Sequence, residues 1–385
     1  MTPPIALDGA AAQARLAAVR PADYAATRNH LDGAVTGLSP WLTHGVLDTR
    51  ETLADLQRRH ALAPQHKLVF ELGWREFFRH AWRHDGDAIL GSLHAGLLPD
   101  ASYAREMPAD IRRGATGLAV IDTAVRTLYA TGALHNHARM WLASYVVHLR
   151  KVHWRAGADW LYAHLLDGDL ASNHLSWQWV AGTGSSKPYF FNAENVRRFA
   201  PPAWQVDRTA LDTPYEAIDA MARDAGFVLA PDPAAPGIDE PASTGMPPAD
   251  AGFAAPDAAV LSGRAVWLVH PWCLRDPPAA LLPVAILEAD FHRRWPWSER
   301  RWRAVTERMR ALTPHRWIGE AGELRAALLQ AACVHGRADP HLGRLAIDLG
   351  LSEPPAIWPE PGRRLRSFSA WWTAVRDRTP AATGS

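Results

Sequence analysis

The sequence predicts a mostly α-helical domain followed by a small α/β domain. Three observations carry this. Apolar residues in the first half recur at helical spacing, and strand signals there are scarce. Two short, unbroken apolar runs in the second half, Ala265–Val269 and Val284–Leu287, suit buried parallel strands. The composition also changes along the chain: residues 1–205 hold 21 Lys+Arg, 18 Asp+Glu and 13 of the 18 His, whereas 206–385 hold 20 Lys+Arg and 22 Asp+Glu. Between the halves, 231–256 contains seven Pro, and no Lys or Arg occurs from 224 to 263. Such a stretch builds no core of its own. The expected division is a helical domain over 1–205, a Pro/Ala-rich linker over 206–260 and a small α/β domain over 261–385.

Composition narrows the function classes. With 385 residues, 48% hydrophobic and 21% charged, the chain can bury a sizeable core. Its 41 Lys+Arg against 40 Asp+Glu exclude a generally polybasic, histone-like protein, though not a local basic face. No apolar run approaches the ~20 residues of a membrane span. The N-terminus lacks the basic and apolar regions of a secretory signal, so no membrane partner and a cytoplasmic location are expected. Two cysteines, Cys273 and Cys333, exclude a disulfide framework and any four-cysteine cluster. The 18 Trp are the oddity. Trp ordinarily supplies core volume, but so many invite a search for stacking or electron transfer.

The elements follow in order. Thr36-Gly37-Leu38-Ser39-Pro40 offers hydroxyls and backbone N–H groups just before a helix, a plausible phosphate cradle. Glu71 to Phe78 fits an amphipathic helix with a Glu71–Arg75 pair. Leu118, Ile121, Val125, Leu128 and Tyr129 fall on one helix, closed by Gly132. A second helix from about His135 to Lys151 places Asn136, Arg139 and Met140 on one face, either a ligand-facing set or a polar face against another helix. His135 and His137 point apart on it, which argues against a shared metal ion, and no metal site is expected. A third helix runs from about Ala158 to Leu166 and stops at Gly168. Asp167 to Asn173 sets two carboxylates around a glycine. The calcium-loop template fails there, because Ala171, Ser172 and Gln178 occupy its remaining positions. The carboxylates can instead accept hydrogen bonds from a ligand's hydroxyls or ring N–H groups. Trp177 and Trp179 lie beside this loop; in isolation they are core tryptophans. Beyond the linker, Ser298–Leu312 and Glu320–Cys333 are expected to be helices. No Gly-rich phosphate motif accompanies them, so no dinucleotide or P-loop site is signalled.

Taken together, the segments from about Tyr24 to Phe199 closely resemble the flavin-binding helical domain of the photolyase/cryptochrome family. The match includes Thr36 to Leu42, Glu71 to Phe78, Thr116-Gly117, Thr131-Gly132, His135 to Met140 and Asp167 to Trp179. The resemblance implies a photolyase-like all-helical FAD-binding domain with a U-shaped FAD at its centre. Tyr24, Thr36, Leu38 and Ser39 would lie along the phosphates and sugar chain. Arg75 and Asn136 would approach the cofactor, Arg139 would pair with Asp167 near the flavin ring, Asp169 would bond the isoalloxazine or adenine side, and Asn173 would sit near flavin N5. The residue chemistry agrees: an Arg and two carboxylates buried with a polar ligand are satisfied, whereas buried alone they are costly.

In repairing members of the family, light drives an electron from reduced FAD to a cyclobutane pyrimidine dimer flipped out of DNA. The implied lesion contacts are Glu71, Trp74, Asn136, Met140 and Trp179. A (6-4) repair enzyme would be expected to carry a His near Met140. His137 stands where better-known bacterial enzymes carry an Arg facing DNA, which removes one permanent positive charge. Trp177 and Trp154 resemble the proximal and middle members of the electron relay. The distal position falls near Ala101 to Tyr103, without a Trp, and leaves Tyr103 or Trp160 as stand-ins. The family places an α/β antenna domain before the helical domain. Here an α/β-like unit follows it, and Ala265 to Asp276 resembles the antenna domain's first strand, as in a permuted or reduced Rossmann-like unit. Binding of an antenna chromophore stays open. So do two other readings: a cryptochrome-like blue-light photoreceptor acting through a protein partner, and a derived flavoprotein with other redox chemistry.

Overall fold

The structure is a computed structural model and describes residues 5–378. Its first part is helical: α1 (Gly9–Ala17), α2 (Pro21–Thr27), α3 (Ser39–Thr43), α4 (Thr49–His60), α5 (Lys67–Asp85), α6 (Ala109–Arg112), α7 (Ala119–Thr131), α8 (Asn136–Ser144), α9 (Trp154–His164), α10 (Leu170–Ala181), α11 (Ala193–Phe199) and α12 (Tyr215–Arg223). Gly132 closes α7 at φ 69°, a left-handed cap that glycine adopts without strain. α8 continues through one π-helical stretch, Tyr145–Leu149. The third helix starts at Trp154, four residues before the expected Ala158. The missed signal is its cap. α5, α8 and α9 all begin on a histidine: Nδ1 of His66, His135 and His153 accepts the backbone N–H two residues on, at 3.2, 3.1 and 3.2 Å. Histidine is outside the usual capping set of Ser, Thr, Asp and Asn, so composition gives no warning.

The second part is a four-stranded sheet in the order β5-β3-β2-β6, all parallel: β2 (Ala265–Val269), β3 (Leu282–Glu288), β5 (Arg316–Gly319) and β6 (Cys333–His335). The two-residue strands β1 (Ser243–Thr244) and β4 (Trp297–Ser298) pair antiparallel beside it. Helices α13 (Ala289–Arg294) and α14 (Glu299–Leu312) connect β3 to β5, α15 (Ala321–Leu328) connects β5 to β6, and α16 (Gly343–Asp348) follows. The helix expected over Glu320–Cys333 is shorter. Glu320 and Glu323 form a capping box at its start, and Cys333 already pairs with Ala265 in the sheet.

Two boundaries differ from expectation. The segment 206–260 is fastened, not free. Val206, Leu211 and Ile218 enter the helical core. Lys151 donates its ammonium hydrogens to the carbonyls of His148, Met221 and Ala222 at 2.7–2.8 Å. Leu229 N–H bonds to Leu149 O, Ile238 N–H bonds to Arg113 O, and Glu240 pairs with Arg112. Average composition does not register such single anchors. Nor does 261–385 stay within the α/β unit. Its last helix, α17 (Phe368–Val375), returns to the helical domain, where Phe368, Trp371 and Trp372 pack with Val69, Phe77 and Phe78 of α5.

The two units share a core. Trp272, Trp295, Trp297 and Trp302 pack with Leu38, Trp41, Leu56, Tyr162 and Leu170 of the helical part. Arg301 of α14, fully buried, donates to Tyr162 O at 2.7 Å and Gly168 O at 2.6 Å, with Trp297 and Tyr162 rings against its guanidinium at 4.0 and 4.5 Å. Many of the tryptophans are therefore interface volume. Among the described residues no helix is long and apolar enough to cross a membrane.

Candidate functional site

A cavity of about 760 Å³ opens between α2, α3, α5, α8, α10 and α11. That is within the range of small-molecule and cofactor sites, roughly 300–1,000 Å³. Every site residue expected from sequence lines it except Trp154. Tyr24, Thr36, Leu38 and Ser39 lie on one side; Glu71, Trp74 and Arg75 come from α5. Asn136, His137, Arg139 and Met140 come from the start of α8, and Asp167, Asp169, Asn173, Trp177 and Trp179 from α10 and the loop before it. Residues far apart in the chain thus converge on one space.

The two carboxylates of the 167–173 loop take different partners. Arg139 Nη2 lies 2.9 Å from both Asp167 oxygens, and its Nε donates to Leu134 O at 2.8 Å. Burial pushes the Asp167 carboxyl up, but Arg139, Ser39 and Arg301 outweigh it and hold it below the usual range. Asp169 caps α10: its Oδ1 accepts Ser172 N–H at 2.8 Å. Its Oδ2 has no hydrogen-bond partner and lies 3.9 Å from Arg75 Nη2 and 3.8 Å from Arg79 Nη2. Burial would raise Asp169, yet Arg75, Arg79 and His341 hold it at about 2. Asn173 spends its amide N–H on Ala158 O at 2.8 Å.

Five cavity-lining residues keep a buried polar atom without a partner: Thr52 Oγ1, Arg75 Nε, Asp169 Oδ2, Ser172 Oγ and Tyr189 OH. Leaving buried polar groups unpaired costs about 1–3 kcal/mol each. Their convergence on one volume fits a large polar ligand with donors and acceptors on several sides.

The mouth is built differently. Glu71 accepts from Arg28 Nη1 at 2.6 Å, and the Arg28 guanidinium lies 5.9 Å from the Tyr24 ring. Burial raises the Glu71 carboxyl despite Arg28, and burial together with Glu71 pushes the Tyr24 phenol up to about 12. Asn136 Nδ2 and Met140 Sδ are 3.5 Å apart, one helical turn along α8. His137 stacks on Phe199 at 4.8 Å, and burial, with His135, Arg28 and His30, lowers it to about 4. It is neutral at pH 7. Trp177 and Trp179 diverge on α10, as helical neighbours must; Trp179 meets Tyr189 at 5.8 Å. Trp74 has one ring face covered by Phe368, 3.9 Å away and 9° from parallel. As a wall it therefore has one face to offer.

Trp154 lies behind the cavity in the same core as Trp177, with its indole N–H on Ser92 Oγ at 3.0 Å. Tyr103 reaches it through His153, with ring separations of 6.3 and 5.6 Å. Trp160 instead points its N–H at Tyr129 and Glu240. At the expected phosphate cradle, Arg15 Nε donates to Thr36 O at 2.5 Å and its Nη2 to Val35 O at 2.7 Å.

Sequence reasoning missed Arg28, Ser172, Tyr189, Asn195 and Phe199 in the lining. Arg28 is four residues after Tyr24 and Ser172 sits inside the acidic loop, so both carried a positional signal. Tyr189 and Asn195 carried none.

Residues 68–227 match a family model described as the FAD binding domain of DNA photolyase. A cryptochrome DASH of Idiomarina loihiensis is 32% identical over 208 residues, covering 51% of this chain and 46% of the relative. A deoxyribodipyrimidine photo-lyase of Streptomyces griseus is 32% identical over 209 residues, with the same coverage of 51% and 46%. The chain thus spans about half the length of these curated relatives. Among solved structures, a Synechocystis cryptochrome aligns at TM-score 0.45 and 30% identity, covering 50% of this chain and 43% of that one. An archaeal photolyase from Sulfolobus tokodaii with two FAD molecules aligns at TM-score 0.44 and 25% identity, covering 60% and 53%.

Proposed function

From a chain whose helical domain belongs to the photolyase/cryptochrome family, we propose an FAD-dependent, blue-light-driven repair enzyme for cyclobutane pyrimidine dimers in DNA. The observation that carries this reading is the single cavity in which a polar, partly unpaired interior continues into a mouth lined by Glu71, Trp74, Asn136, Met140 and Trp179. The interior suits FAD. Asp167 with Arg139, Asp169 with Arg75, and Asn173 would hold its ring system, and Tyr24, Thr36, Leu38 and Ser39 its phosphate and sugar chain. When bound, FAD supplies the light absorption and the electron.

The chain's own residues have the remaining work. Trp74 and Trp179 offer flat apolar surface for an extruded pyrimidine pair, and Asn136 offers an amide for a base edge. Glu71, whose carboxyl is raised by burial, can bond a base N–H or carbonyl according to its protonation. Met140 fills space beside them. Trp177, in the lining, and Trp154, in the core behind it, would carry electrons between the flavin and the outside, with Tyr103 beyond His153.

Two observations favour a second reading, a photoreceptor without repair. Arg28 already occupies Glu71, and His137 is neutral at the rim, so the mouth offers less to a phosphate backbone. The relatives likewise include proteins named cryptochrome DASH as well as photolyases. A repair assay separates the two. Purified protein with reduced FAD is given a thymine-dimer oligonucleotide under blue light, with a dark control. Repair predicts light-dependent return of intact thymines. Protein that holds reduced FAD and returns none would refute the repair reading and leave the photoreceptor.

A further inference from the structure

The segment that follows the sheet contributes a piece of the cavity wall. Residues 353–378 leave the α/β unit and run along the outer face of α5. Arg83 pairs with Glu353 at 2.6 Å and with Glu360 at 3.3 Å. Glu360 is also bonded by His80 and by His84 Nε2, the latter at 3.2 Å. Arg364 grips both oxygens of Asp85 through Nε at 2.9 and 2.8 Å. His80, His84 and Glu360 have ligand atoms within 4.8 Å of one another, close enough for a metal ion. The hydrogen bonds argue otherwise. Leu365 N–H donates to His80 Nε2 at 3.0 Å, so the ring proton sits on Nδ1, facing Glu360, where a metal would need a lone pair. The trio clasps the strap to the helix.

The clasp fixes the register of α17. Trp372 lies over Gly73, where a Cβ would come within 2.7 Å of the indole, so α17 approaches α5 more closely than a larger residue there would allow. Phe368, at the start of α17, lies face to face with Trp74. The Phe368 ring is in turn held edge-on by Phe70 at 4.7 Å and by Phe77 at 5.8 Å. Phe368 is 6% exposed, whereas Trp74 is half-buried and lines the cavity.

We propose that this C-terminal strap is part of the functional site, with Phe368 as the positioning residue that sets the plane of the Trp74 indole. The indole then presents one fixed face to a flat pyrimidine ring entering the cavity. An indole backed in this way has lost its rotamer freedom before the ligand arrives, which is how preorganisation adds affinity. The proposal rests on the reading of the mouth as a lesion site.

The test uses the full chain loaded with FAD. Phe368→Ala, Phe368→Leu and Phe368→Tyr are compared with wild type for binding a thymine-dimer oligonucleotide against its undamaged counterpart. Holding one such side chain in place before the ligand arrives corresponds to about a two- to tenfold effect on binding. Ala and Leu should lower the preference for the dimer by that factor, and Tyr should keep it. The flavin-to-protein absorbance ratio should stay unchanged in all three. If the Ala variant loses flavin, the Leu variant, which leaves a smaller void, decides. In a Trp74→Ala background, Phe368→Ala should cost nothing further. Unchanged preference in the Leu variant, or an equal loss without Trp74, would overturn the proposal. Wild type with no preference for the dimer would overturn the lesion reading and the proposal together. A wild-type preference indifferent to Phe368 would overturn the proposal alone.

Discussion

Asp169→Asn tests the electrostatics at the base of the cavity. The asparagine keeps a side-chain oxygen for Ser172 N–H, so the cap on α10 survives. What disappears is the negative charge facing Arg75 and Arg79 at 3.9 and 3.8 Å. Arg79 retains Asp339 at 2.8 Å, whereas Arg75 is left with long contacts to Thr43 Oγ1 and Leu42 O at 3.3 and 3.4 Å. The folded protein holds Asp169 at about 2 against an ordinary 3.8. At 1.36 kcal/mol per unit, that is about 2–3 kcal/mol of stability carried by the ionised form. Because the folded value is depressed, this contribution is complete above about pH 4 and fades as the pH falls towards 2. The variant should therefore be about 2–3 kcal/mol less stable than wild type in urea unfolding of the flavin-free chain at pH 7. The gap should be nearly the same at pH 5, and about half of it should be gone at pH 3. Equal stability at pH 7, or a gap that does not narrow on acidification, would refute the reasoning.

Two further outcomes follow from buried cations. Arg301→Leu leaves the carbonyls of Tyr162 and Gly168 unpaired in the shared core, a loss of about 2–5 kcal/mol, and Arg301→Lys should restore only part of it because an ammonium lacks the planar fork that meets the two carbonyls and lies against the Trp297 and Tyr162 rings; unfolding midpoints of the two variants check this. Lys151→Met removes the donor to His148, Met221 and Ala222, so limited proteolysis between 224 and 240 should accelerate while the sheet stays intact; an unchanged cleavage rate would mean that Lys151 does not anchor α12.

Much of the site was legible because its residues are polar where a helix should be apolar. Asn136, Arg139 and Met140 share a helix face that makes little sense as plain core, and Asp167, Asp169 and Asn173 crowd one loop. Such departures from pattern concentrate where a ligand completes the packing. The helical class, the two longer parallel strands and the cap at Gly132 were legible for the usual reason: periodicity and turn chemistry are local. Helix starts on His66 and His153 were not, because histidine caps resemble any other histidine in a sequence.

The sequence by itself determined which residues are polar where a helix should be apolar and which segments are helix or strand. Only the tertiary structure decided who meets whom. Arg28 reaches Glu71 across 43 residues, Arg301 fastens the loop before α10 from another unit, and Phe368 backs Trp74 from the far end of the chain. Those pairings cross between elements whose order along the chain says nothing of their distance in space. They are fixed by burial of the shared tryptophan core and by the need of buried charges for partners, both properties of the folded whole.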